Sequence, residues 1–570
     1  VSELVIREID EYTDAWANEY TEACAATTVR GEQSAEVMDL RMSCLKRAKV
    51  DLDAIVEVLA EADRDVAARA HRIATGLRPL SECSDIERLR AEVVPPRPED
   101  VAAVEGAREA LATAKAESKA GRYEDALRRV EDAKVQLASV DYEPVRAEVA
   151  VLEGALFEYL GRYEDAEAAL KRALGYAART HQARILGRTG IRLMGVVGYQ
   201  QRRFAVGLRY ASVAHALTSH DPAADADMHN VIGNILDAQG HYADAEAEYR
   251  RALAYTVEAG EDSEPWTAAW ISNLANAIDS QGRYDEAEAE HRRALKLKET
   301  ILGPDHPSVA LGHNNLASVL MSRGKYAEAE AEARRALEIW EQALGPDHPS
   351  VANALHNLGN AVYSQGRPAD AEVFYRRGLT LLEQTLGPDH PKVGSALTNL
   401  GAAVSSSGDQ EEAERLFRRA LDIERSALGP EHPKLINVRI SLAIVLNAQG
   451  KLDEAEAEHR AALQLALKTM GPNHPIVGNV RGNLALVLAA EGKSREAEAE
   501  FRESLRLREQ RLGPEHPDVA YARFGLAKHL AAQDRIDEAR SLARRALEVY
   551  IQQDRTEDAE RVSTWLDEVH

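Results

Sequence analysis

The stretch "SVALGHNNLASVLMSRGKYAEAEAEARRALEIWEQALG" (Ser308–Gly345) decides the fold. Leu316, Ala317 and Leu320 fall on one helical face, Gly324 breaks the pattern, and Ala329, Ala333 and Ala336 resume a three-to-four spacing. The segment therefore predicts helix, turn, helix. "LGPDHP" stands before it at Leu302 and after it at Leu344, and returns exact or altered at Leu386, Leu428, Met470 and Leu512. The connector glycines Gly303, Gly345, Gly387, Gly429, Gly471 and Gly513 are each 42 positions apart. A second series keeps the same step: Gly240, Gly282, Gly324, Gly366, Gly408, Gly450 and Gly492, with Asp534 in the next place. Upstream, "GRYEDA" stands at Gly121 and Gly161, and a degenerate "QRRFAV" follows at Gln201. Counting turns predicts about eleven helical hairpins.

Three columns hold only Ala, Gly or Ser. One lies five residues after each turn (Ala329, Ala371, Ala413 and equivalents), one twelve after (Ala336, Gly378, Ser504), and one seven before (Ala317, Gly359, Gly401). Such columns mark helix contacts too close for a larger side chain. In the connectors, Gly303 suits a left-handed position after a helix, Pro304 stops the helix, Asp305 or His306 can cap the next one, and Pro307 fits its first turn. Stacked hairpins hold equivalent histidines roughly 10 Å apart, too far for neighbours to share metal bonds of about 2 Å. The histidines read as punctuation rather than as a metal or catalytic set.

The small-residue columns, the turn glycine and "RY-x-EA" resemble the tetratricopeptide repeat. The 42-residue form with "NNLA…GKYAEAE…RRALEI…LGPDHP" is similar to the repeats of kinesin light chains and their bacterial relatives, over about Asp100 to Gln552. The resemblance implies an all-α solenoid, a right-handed superhelix whose first helices line a concave groove. The expected organisation is an N-terminal helical module (1–94), divergent repeats (100–220), regular repeats (221–552) and a capping helix (553–570) with a stripe of Ala559, Val562, Trp565 and Leu566.

Within each first helix, positions 2, 6, 9 and 13 share a stripe. Position 6 is Asn273, Asn315, Asn357, Asn399 and Asn483; position 9 adds Asn234, Asn276 and Asn360; position 2 contributes Asn353. An amide both donates and accepts, so such a ladder can grip the backbone of an extended peptide. The resemblance implies that use. Equally, the amides can bond between neighbouring repeats and hold the stack. Position 2 carries no cation (Asp227, Ala269, Leu311, Ser395, Asn437, Asn479 and Tyr521 fill it elsewhere), which argues against a clamp for a chaperone tail.

Residues 1–92 do not follow the period. "EIDEYTDAWANEYTEACAAT" predicts one helix, a stretch opened by Ser34 a second, "DVAARAHRIATGL" a third and "SDIERLRAEV" a fourth, before the proline-rich boundary "VVPPRPED" (Val93–Asp100). Trp16, Cys24, Arg30, Gly31, Ser34, Arg41, Cys44, Leu45 and Cys83 carry a second resemblance, over about Ile9 to Val94. It is to a region of myxobacterial-type serine/threonine kinases that lies between a kinase domain with its membrane helix and a run of these repeats. No G-x-G-x-x-G, V-A-I-K, H-R-D or D-F-G occurs, so kinase chemistry is not assigned to this chain. The three cysteines are an odd count without a C-x-x-C pair and read as free thiols. The second resemblance implies an alternative: a regulatory arm outside the cytoplasm, where a disulfide among them becomes possible.

The formal charge of −24 argues against nucleic acid, and no run approaches the roughly 20 apolar residues of a membrane span. The "AEAEAE" runs place carboxylates on an exposed, solvated face. No G-x-S-x-G, H-E-x-x-H or phosphate loop is present. The expectation is a non-catalytic scaffold without cofactor or metal that binds a protein or peptide segment, cytoplasmic for the chain as given.

Overall fold

The computed structural model describes residues 3–67, 69–86, 89, 95–218, 221–259 and 265–569. These form two compact units, Val1–Pro346 and Asp347–His570. Among the described residues every regular element is helical, and the fold is an all-α solenoid of helical hairpins.

The period sets the hairpin. The first helix of a regular repeat runs 16 residues, as in Pro307–Ser322, and the second 19, as in Tyr326–Leu344. Between them Gly324 takes φ +73°, its N–H donates to the Met321 carbonyl (3.0 Å) and the Lys325 N–H to the Leu320 carbonyl (2.9 Å). This pair of reversed bonds satisfies carbonyls that the helix end leaves open. Asp534 keeps the same turn at φ +60°, and Arg202 takes φ +55° in the degenerate repeat.

The connector differs from expectation at Gly303 and decides between the two capping candidates. Gly303 has φ +83° but ψ 157°, an extended rather than left-handed helical conformation, because the chain must leave the helix at once toward Pro304. Of the two capping candidates the histidine acts: His306 Nδ1 accepts from the Ser308 N–H at 3.1 Å, and His348, His390, His474 and His516 repeat the bond. Pro307 follows in the first turn, where its missing N–H costs nothing.

All three small columns are buried contacts. Ala317, Ala329 and Ala336 are 0 % exposed. A Cβ built on Gly359 would lie 2.5 Å from the Tyr375 ring, and one on Gly401 2.9 Å from the Phe417 ring. Opposite Ala275 and Ala443 the facing position in the second helix holds His291 and His459, while Ala317 faces Ala333 and Ala485 faces Phe501.

The "AEAEAE" carboxylates are not simply solvated. Glu288 is 2 % exposed and meets Arg292, Arg323 and Lys325. The same register in the second unit pairs Glu414 with Lys451 and Glu456 with Lys493 (2.6 Å each), and Glu498 with Arg535 (2.7 Å). A hydrogen bond from Lys493 holds the Glu456 carboxyl below its ordinary range. Each pair joins the second helix of one repeat to the turn of the next, so the acidic run is a stacking device.

At the front, Glu3–Thr28 and Ala35–Ala60 are the two expected long helices, and Ser34 Oγ accepts from the Val37 N–H. The third segment breaks into Arg64–Ala67 and Ala70–Ala74, with a 3₁₀ turn at Leu80–Cys83 after it. The expected fourth helix and the Val93–Val94 end of the module lie largely outside the described residues. Trp16 Nε1 donates to the Leu45 carbonyl (2.8 Å), and Arg41 reaches Glu19 and Gln33 (3.1 Å each). Cys44 and Cys83 form a disulfide, both 1 % exposed, while Cys24 is free and exposed. This corrects the free-thiol reading for two of the three, since the 3₁₀ turn carries Cys83 to the face of the second helix. At the other end Val562 of the Thr556–Glu568 helix is fully buried and Trp565 meets the Phe524 ring edge-on, centroids 5.5 Å apart.

Candidate functional site

The asparagine column divides into two kinds. In the first unit Asn273 Nδ2 donates to Asn230 Oδ1 (3.1 Å) and Asn234 Oδ1 (3.4 Å), and Tyr249 Oη donates to the same Asn234 oxygen (2.8 Å). Three periods later the second unit repeats it. Asn399 Nδ2 donates to Asn360 Oδ1 (3.3 Å) and to the His356 ring (3.2 Å to Nε2), and Tyr375 Oη donates to Asn360 Oδ1 (2.7 Å). Burial pushes the His356 pKa down, which keeps the ring a neutral acceptor. Burial also raises the pKa of both tyrosines and keeps their hydroxyls donors. These five asparagines link the first helices of neighbouring repeats.

The remaining amides behave differently. Asn276, Asn315, Asn353 and Asn483 make no side-chain hydrogen bond among the described residues; Asn276 and Asn353 are exposed, Asn315 and Asn483 half-buried. Asn357 is engaged within the protein. Leu311 and Tyr521 at position 2 are 46 % and 55 % exposed. These side chains supply amide donors and acceptors and, at Leu311 and Tyr521, exposed apolar surface. They offer no acid–base pair near a nucleophile. Among the described residues no group of three or more His, Cys, Asp or Glu side chains could hold a metal ion. The connector histidines instead spend Nδ1 on backbone N–H groups.

Sequence reasoning missed one group of residues. The column of Lys298, Trp340, Glu424, Arg508 and Tyr550 shares a single register of the second helix, so three charges occupy places where an indole and a phenol are buried elsewhere. Lys298 is 6 % exposed with Ser272 Oγ at 3.4 Å, and burial pushes its pKa down to about 8. Glu424 is 3 % exposed, and burial pushes its carboxyl up. The signal was available: the register of Trp340 and Tyr550 identifies the column as buried.

Family models place this architecture. Models described as tetratricopeptide repeat match residues 226–256, 267–308 and 308–384, and a MalT-like TPR region matches 353–568. The fold is a tetratricopeptide-repeat α-solenoid, and the families matched over these residues are generally non-catalytic and mediate protein–protein interactions. Among solved structures it is similar to BtubC (BKLC) from P. vanneervenii: 28 % identity, TM-score 0.36, 40 % of this chain and 92 % of that one. It is also similar to a putative kinesin light chain of Podosopora anserina with nearly identical TPR-like repeats: 24 % identity, TM-score 0.33, 36 % and 97 %. The apo form of RapI gives 16 % identity, TM-score 0.48, 64 % and 98 %. No curated protein matches the chain. Among the described residues no helix is long and apolar enough to cross a membrane.

Proposed function

We propose that the chain is a non-catalytic scaffold or adaptor that binds an extended peptide or protein segment in a groove lined by its first helices. The supporting observation is the division of the asparagine column. Asn234, Asn273, Asn360 and Asn399 are used within the stack, whereas Asn276, Asn315, Asn353 and Asn483 make no side-chain hydrogen bond among the described residues. An open primary amide at a repeated register bonds a passing backbone without reading its side chains. Many such modest contacts over a long surface supply affinity. The test is capture of partners by crosslinking from the source cell, followed by Asn315→Ala and Asn353→Ala. Binding should weaken while helicity and melting hold. Unchanged binding, or loss of fold, would assign these amides to the stack.

A second reading is favoured by the Cys44–Cys83 disulfide. Disulfides persist in oxidising compartments and are rare in the reducing cytosol. With the kinase-associated resemblance of residues 9–94, the chain reads as the extracytoplasmic regulatory region of a bacterial transmembrane serine/threonine kinase whose catalytic domain is not in this sequence. Protein taken from its native cells under alkylating conditions should show one reactive thiol. Three reactive thiols would return the chain to the cytoplasm.

A further inference from the structure

A hollow of about 210 Å³ lies between the Pro475–Ala490 and Pro517–Ala531 helices, over the Ser494–Leu512 helix. The repeat pattern explains why it is open. At Gly525 the asparagine column loses its side chain, and at Gly482 the preceding place, held by Asn314, His356 and Thr398 in other repeats, loses its own. A Cβ on Gly525 would meet only the Phe501 ring, at 3.5 Å. Leu486, Phe501, Tyr521 and Phe524 supply apolar walls.

Two cations face this apolar space. No lining residue is acidic, in a chain of formal charge −24. Arg561 at the margin is already paired with Asp558 at 2.6 Å. Arg508 makes no ion pair among the described residues: its Nη1 has only the Asp518 carbonyl oxygen at 3.5 Å, and its Nε is buried without a partner. Lys528 also makes none among the described residues, and its Nζ stands 5.0 Å over the Phe524 ring. Other arginines of these second helices do find glutamates, as Arg460 finds Glu496 and Arg502 finds Glu538. Burial pushes the Arg508 pKa down, and the charge of Asp518, which makes no ion pair with it, only partly offsets that.

We propose that this hollow binds small apolar carboxylates, the carboxylate on Arg508 and Lys528 and the hydrocarbon body against Leu486, Phe501 and Phe524. A guanidinium presents parallel donors that match a carboxylate, and the pair strengthens where water is excluded. The apolar walls favour a hydrocarbon body over inorganic phosphate, which has none. The volume suits one ring or one branched chain. The hollow overlaps the open-amide surface at Asn483 and Tyr521, but its charge comes from Arg508 and Lys528, so the site does not rest on the open-amide reading.

The test titrates 3-phenylpropionate into the full chain, followed by calorimetry or by the Phe501 and Phe524 ring resonances. 3-Phenylpropionamide and a peptide ending in phenylalanine serve as comparisons. The acid should bind, and the amide should bind roughly tenfold more weakly or worse, since one charge-assisted pair is lost. Arg508→Met should abolish acid binding. Gly525→Asn should do the same by refilling the column with the residue that Asn483 and Asn399 already place there. Both variants should keep the helical spectrum. Asn315→Ala should leave acid binding unchanged, so failure of the peptide groove and failure of this site are separable. Equal binding of acid and amide, no binding of the acid, or binding of the peptide alone overturns the proposal.

Discussion

Tyr375 lies against Gly359 so closely that a Cβ on the glycine would stand 2.5 Å from the ring's Cε1 and 2.8 Å from Cδ1. The tyrosine is 4 % exposed and its hydroxyl is held by Asn360, so the ring cannot retreat. Alanine is the better helix former by about 0.5–1 kcal/mol, yet overpacking a tight contact costs about 1–3 kcal/mol. Gly359→Ala should therefore destabilise the protein. In a Tyr375→Ala background the same substitution should become neutral or stabilising, as the coexisting pair Ala317 and Ala333 shows that the space closes. Urea unfolding of the four variants measures the coupling, and additive effects would mean that the contact is not tight.

His459 occupies the register of Tyr375 and Phe501, 1 % exposed, with Nδ1 buried and unpartnered. Burial pushes its pKa down to about 4. The unfolded chain holds its histidine near 6.5, so between these values the unfolded state binds more protons and stability falls as pH falls. The loss is on the order of 2–3 kcal/mol across that window. His459→Phe should remove this component, because Phe501 already fits the same register opposite Ala485. Melting temperatures of the two proteins should diverge between pH 6.5 and 4, with the variant ahead. Parallel curves would refute the assignment.

The repeat was legible because its punctuation has single physical causes. A position at φ +73° strongly favours glycine for steric reasons, so Gly324 and its equivalents betray the turn, though Asp534 holds it without one. Ala329 and Gly359 betray contact because nothing larger fits. The choice between Asp305 and His306 as cap was not legible, since both residue types can accept there and only geometry assigns the bond. Cys44 and Cys83 were opaque for a related reason: residues 1–94 have no period, and pairing at a separation of 39 is set by where a 3₁₀ turn lands. Lys298 and Arg508 look like surface residues when read along one helix. Read down the column, beside Trp340 and Tyr550, Lys298 is a buried charge and Arg508 a half-buried one. The asparagines were legible as a stripe, but which of them are spent on the stack depends on whether a Tyr249 or Tyr375 hydroxyl stands opposite.

Lys298 carries its charge at 6 % exposure without an ion pair among the described residues. Its folded-state pKa of about 8 lies below the ordinary value near 10.4, so the charged form destabilises the fold. The penalty is complete below pH 8 and fades as pH rises toward 10.4, where the unfolded chain also gives up its proton. Lys298→Met should raise stability by on the order of 2–3 kcal/mol at neutral pH, with the advantage shrinking above pH 8. Thermal melts at pH 7 and pH 10 check both the sign and the trend.

His390 accepts from the Lys392 N–H through Nδ1 at 3.2 Å. Removing an N-cap acceptor costs about 0.5–2 kcal/mol, and asparagine is among the best replacements. His390→Ala should destabilise the second unit by that amount, while His390→Asn should be nearly neutral. If both variants lose the same stability, the histidine acts by packing and not as a cap. The comparison also separates capping from metal binding, since only the latter would make the wild type alone sensitive to a chelator.

The Cys44–Cys83 bond sits in a small cluster of Ala23, Leu45 and Leu89, with Trp16 packed against it. In the loop-entropy account, a disulfide closing a loop of this size stabilises by about 3–4 kcal/mol. The module's core is too small to absorb that loss easily. Reduction, or Cys44→Ser with Cys83→Ser, should lower the protection of the Trp16–Leu45 region against amide exchange while residues 347–570 keep theirs. Exchange mass spectrometry of oxidised and reduced protein reads both regions at once. Equal protection in the two states would show that the helices hold without the bond. Cys24→Ser controls for the free thiol: it is exposed and its thiol meets only Thr28 among the described residues, so its removal should change neither region.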